Sequence, residues 1–72
     1  MSHKSICFAL RPLSGHQVKA IKRELDTLPG VTSVSVSQAE GRVAVDYDST
    51  GVQPDAIQRR LEDLGLSANS LE

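Results

Sequence analysis

Ser14 and Gln17, three residues apart in "PLSGHQV", stand where an apolar run gives way to an amphipathic one. Side chains at that spacing beside a helix start can converge on one point, so the pair can hold a ligand or close the helix end. Their atoms favour closure. A serine hydroxyl stays protonated and a glutamine amide is a feeble metal ligand, whereas both bond readily to backbone N–H groups. As a capping box, the Ser14 hydroxyl accepts from the Gln17 N–H while the Gln17 side chain reaches back to the Ser14 N–H. Leu13 before the cap and Val18 at the fourth helical position fit a hydrophobic staple.

Other residues could do chemistry, and each has a plainer role beside it. His16 lies in the same loop, where a lone imidazole could bind a borderline metal weakly, meet a partner, or simply be solvated. Cys7 is the only cysteine, so no internal disulfide can form. It cannot readily join His16, because three strand residues at about 3.3 Å each put roughly 10 Å between it and the strand end. Met1-Ser2-His3 could offer a nitrogen-rich set to Cu(II) or Ni(II), but only with Met1 retained, and Ser2 favours its removal. Asp46 and Asp48 have no histidine or second acid to form a catalytic constellation, and no glycine-rich phosphate loop follows a strand. They read as solvated acids, and the chain as no enzyme.

Positioning these residues falls to a short chain. At 72 residues it buries only about 60% of the surface it exposes when unfolded, for a stability of roughly 3–5 kcal/mol. Net charge is −1, which gives no global attraction to nucleic acid or to an anionic membrane. No apolar run approaches the roughly 20 residues of a membrane span, and "MSHKSIC" lacks a signal peptide's apolar region. A cytoplasmic location is the expectation. Residues 71–72, "LE", resemble an expression-tag remnant, which leaves residues 4–70 as one domain.

"SICFAL" alternates as a half-buried strand does. Val18, Ile21, Leu25 and Leu28 then recur at helical spacing until Pro29-Gly30 stops the helix. "VTSVSVS" and "RVAVDY", joined by "QAEG", make a hairpin with one wet face. Pro54 and Asp55 suit the start of a second helix, whose stripe Ile57, Leu61 and Leu64 ends at Gly65. "LSAN" is a poor strand former, yet a fourth strand completes a ferredoxin-like βαββαβ sandwich, α/β in class, an antiparallel sheet with both helices on one face. The other face would carry Cys7, Ala9, Ser33, Ser35, Arg42, Ala44 and Asp46. RNA-recognition modules of this topology stack bases on aromatics there. Here both aromatics, Phe8 and Tyr47, fall on the core parity, so no nucleic acid is expected.

The stretches "VKAIKRELDTL", "LPGVTSVSVS", "EGRVAVDYD" and "PDAIQRRLEDLG" resemble the heavy-metal-associated domain family of copper chaperones and metal-pumping ATPases. The resemblance implies a Cys-x-x-Cys pair in the loop before the first helix. Counting back from Pro29-Gly30 puts those positions at Ser14 and Gln17, and the usual Gly-Met at Arg11 and Pro12, so the thiolate site is missing.

The expected function is therefore that of a small domain of the metal-trafficking family acting by protein docking. The docking residues would be Arg11, His16, Lys19, Lys22 and Arg23, unless Glu24 or Asp26 neutralises the helix. The partner would be acidic, for example a metal transporter or regulator. No cofactor is expected, Cu(I) or another heavy metal entering by resemblance only, and the chain would be a monomer or weak dimer. Weak metal binding through His16 with other non-thiolate ligands is one alternative. A ligand-sensing regulatory module at a dimer interface is another.

Overall fold

Alternating apolar residues build the sheet, and three-and-four spacing builds what covers it. A computed structural model describes residues 3–11 and 14–71; Leu13 of the staple, Pro12, the first two residues of Met1-Ser2-His3 and Glu72 lie outside them. The elements run β1 (His3–Arg11), α1 (Gly15–Asp26), β2 (Val31–Ser37), β3 (Arg42–Asp48), α2 (Pro54–Asp63) and β4 (Ser67–Ser70). Strand order is β2-β3-β1-β4, with every neighbouring pair antiparallel. This is the ferredoxin-like sandwich the sequence predicts.

Ile6, Phe8 and Leu10 of β1 and Val43, Val45 and Tyr47 of β3 meet Ile21 and Leu25 of α1 and Ile57 and Leu61 of α2 in one core. Helix α1 packs over β2 and α2 over β4. Phe8 is fully buried, and its truncation to alanine would cost about 3–5 kcal/mol, comparable to the whole stability of so small a domain. The opposite sheet face carries exposed Ser33, Ser35, Arg42 and Ala44 and half-buried Cys7, Ala9 and Asp46, as the alternation requires.

Strand β4 forms from residues of low strand propensity because its surroundings hold it. After α2, Gly65 takes φ +85°, and its N–H donates to Glu62 O at 2.9 Å while the Leu66 N–H donates to Leu61 O at 3.3 Å. That is a Schellman ending. It drops Leu66 and Ala68 into the core and sets residues 67–70 against residues 8–11 of β1. Gln58 Nε2 donates to Ala68 O at 2.9 Å, tying α2 to the new strand. The ladder extends by one bond, from the Leu71 N–H to Cys7 O at 3.0 Å.

Candidate functional site

The start of α1 is closed by the side chain of Gln17 meeting Ser14. Ser14 is extended, with φ −114° and ψ 170°, as an N-cap must be. Its N–H donates to Gln17 Oε1 at 3.0 Å, and its carbonyl accepts the first helical bond, from the Val18 N–H at 3.0 Å. The reciprocal pairing of a capping box is present, although Ser14 Oγ makes no well-aligned bond to a backbone N–H. Instead the hydroxyl donates to the same Gln17 Oε1 at 3.2 Å. The Gln17 half of the box is thus the stronger half. The amide oxygen takes both donors.

Around this cap the surface is cationic. Arg11, His16, Lys19, Lys22 and Arg23 are all exposed, and among the described residues none of them makes an ion pair. Glu24 is drawn away from its own helix: its Oε2 meets Arg60 Nη1 of α2 at 3.3 Å. His16 borders an open hollow lined by Gly15, His16 and Lys19, where the lysine ammonium would oppose a bound cation. Among the described residues no three His, Cys, Asp or Glu side chains gather as a metal site. Cys7 stays on the sheet, opposite Ala44 of β3.

The two acids of β3 have partners where sequence reasoning left them solvated. Asp46 accepts from the Ser5 hydroxyl across the β1–β3 ladder. Asp48 Oδ1 accepts from the Thr50 N–H at 2.9 Å and from Thr50 Oγ1 at 2.6 Å. The Thr50 hydroxyl, then its N–H, and to a lesser extent nearby His3, hold the Asp48 carboxyl below the usual aspartate value of 3.8. The spacing Asp48-Ser49-Thr50 is a local signal for this Asx turn. The acids are structural parts of the β3 end.

The heavy-metal-associated domain profile matches residues 13–67. The chain belongs to the heavy-metal-associated domain family. Copper chaperone CopZ of Staphylococcus aureus is 35% identical over 51 residues, which are 71% of this chain and 75% of the chaperone. Human copper-transporting ATPase 2 is also 35% identical, over 52 residues that make up 72% of this chain but 4% of the ATPase. This chain therefore corresponds to one small part of that transporter. Among solved structures, the yeast copper transporter domain CCC2A superposes with a TM-score of 0.89 at 26% identity, covering 96% of each chain. No helix among the described residues is long and apolar enough to cross a membrane.

Proposed function

We propose that this heavy-metal-associated domain works by protein docking rather than by carrying a soft ion in its own loop. The occupant of the docking surface would be an acidic protein of metal transport or its regulation, and no catalysis would be involved. One observation carries the reading. Both Ser14 donors, its N–H and its hydroxyl, go to Gln17 Oε1, beside exposed cations that make no ion pair among the described residues. The donor chemistry agrees: a hydroxyl and an amide oxygen are hard and neutral, and the chain has one cysteine, Cys7, in the sheet. They do not suit Cu(I). Rim cations of this kind set specificity and association rate, and their effect falls with salt.

Two measurements on the wild-type chain test this. In competition with a chromogenic chelator the chain should fail to hold Cu(I); a one-to-one complex surviving at nanomolar free copper would overturn the reading. Affinity capture from the source cells should retain an acidic protein at low salt, and the variant with Lys19→Glu, Lys22→Glu and Arg23→Glu should lose it. Equal retention by both would remove α1 as the docking surface.

A further inference from the structure

Strand β2 is an edge of the sheet, with β3 on one side and no strand beyond it among the described residues. Alternate N–H and C=O groups along it therefore face outward without a ladder partner. Natural edges are usually blunted by lysine, proline or a bulge. Residues 33–37 carry none of these: they read Ser-Val-Ser-Val-Ser. A register shift at Thr32 interrupts the strand on one side, where Thr32 Oγ1 bonds Asp46 O at 3.0 Å, and a turn begins at Gln38 on the other. What remains is a short, uncharged edge.

That edge is the same read in either direction. An antiparallel pair related by a two-fold axis through Ser35 sets Ser33 against Ser37, Ser35 against Ser35, and Val34 against Val36 of the second copy. Opposed residues in an antiparallel pair share a face. The valines therefore meet on the core side and the serines on the open side, with no charge opposed to a like charge. Val34 and Val36 are only half-buried in one chain, though both pack on the core. A second copy would cover them.

We infer that two copies of this chain join through β2, edge to edge, into a continuous eight-stranded antiparallel sheet. The contact is isologous and closes on itself, because each copy spends its only β2. The remaining outer edges are β4, which is four residues long. The occupant is a second copy because β2 meets itself in matching register, Val34 on Val36 and Ser35 on Ser35, with no charge buried or opposed. With so short a ladder the pair is weak and reversible, a low-end interface.

The test is the mass of the chain in sedimentation equilibrium from micromolar to millimolar concentration. Wild type should rise from 7.7 kDa toward twice that mass. Ser35 is exposed, so S35K should leave the circular dichroism spectrum and urea midpoint unchanged while placing two ammonium groups across the axis. Its dimerisation should weaken by about tenfold or more. S35E should do the same alone, and an equal mixture of the two variants should regain the dimer. Three results would overturn the inference: wild type at single-chain mass throughout, S35K associating as wild type does, or masses growing past two chains, which would mean open-ended pairing through β4.

Discussion

The turn before α1 and the turn before α2 both deliver an extended chain into a helix, but among the described residues only the second shows bonds that lock it to the rest of the molecule. In the second, Asp48 O accepts from the N–H groups of Gly51 and Val52 at 2.9 and 3.1 Å, and the Asp48 N–H donates to Gly30 O at 2.7 Å. Gly30, at φ +94°, completes a tight turn after Leu28-Pro29, closed by the Val31 N–H on Leu28 O at 3.2 Å. It lies so close to Gly51 that a Cβ there would meet Gly51 C at 2.8 Å and Val52 N at 2.9 Å. The helix it feeds has Pro54 at its start, and its N-cap Gln53 makes no side-chain cap bond. Turn and neighbour hold the shape, so the cap is dispensable. In the turn before α1 the cap is the shape: Ser14 and Gln17 are bonded to each other, and a Cβ on Gly15 would meet nothing within 4 Å. One turn is fixed by tertiary contact; at the other, the described residues show a helix start held by the Ser14–Gln17 pair beside open space at Gly15.

The contrast breaks if glycine replacement costs the same in both places. Gly30→Ala must adopt a strained φ and displace backbone atoms, so it should lose roughly 2–4 kcal/mol, most of what a domain of this size has. Gly15→Ala should instead hold stability or add up to about 1 kcal/mol, since alanine restricts the unfolded chain and meets no obstacle. Urea unfolding of the two variants decides this. A comparable loss at Gly15 would mean that the first turn is packed after all.

Exchange of the cap itself sharpens the comparison. Ser14→Ala should cost about 0.5 kcal/mol, the low end for an N-cap, since Ser14 Oγ makes no well-aligned bond to a backbone N–H and the Ser14 N–H keeps Gln17 Oε1; an unchanged urea midpoint would leave the hydroxyl without energetic weight. Ser14→Cys with Gln17→Cys should fold, lose about 1 kcal/mol without metal, and gain Cu(I) binding that more than offsets the loss by favouring the folded state. The helix N-terminus would help ionise the thiols. Arg11 and its charge would keep the affinity modest. If the double variant folds yet competes for Cu(I) no better than either single one, Ser14 and Gln17 do not stand at the family's metal positions.

What could be read from the chain alone follows the same division between local and distant causes. The capping box is an i, i+3 relation, so Ser14 and Gln17 announce it. The strands announce themselves because Ile6, Phe8 and Leu10 or Val43, Val45 and Tyr47 alternate. Strand β4 was weakly legible, since Ser67 and Asn69 favour no strand and it is burial of Leu66 and Ala68 that enforces one. The approach of Gly30 to Gly51 is a meeting of two distant turns, and no spacing encodes it. The basic face is legible as composition, but the absence of ion pairs to it among the described residues is not. Glu24 sits one residue from Arg23 and could as well have served its own helix; only the placement of α2 shows that it serves Arg60.

The smallest effect lies in the locked turn and concerns pH. Asp48 titrates below 3.8 in the folded chain because the Thr50 hydroxyl, and next the Thr50 N–H, donate to its charged form. The folded protein thus binds this proton less readily than the unfolded chain. Ionised Asp48 therefore adds stability that is present in full above the unfolded value near 3.8 and is lost as pH falls through the lower folded value. The carboxylate is exposed, so the contribution is small and partly screened by salt. Thr50→Val keeps the branched shape and the N–H but removes the larger donor. Asp48 should then titrate higher, while remaining below its ordinary value, and the decline of the urea midpoint in acid should become shallower. The carboxyl-carbon NMR titration of Asp48 in wild type and variant reads this directly. An unshifted Asp48 in wild type, or identical titrations in the two proteins, would show that the second turn draws its rigidity from Gly30 and Gly51 alone, with the Asp48 bond to Thr50 adding nothing.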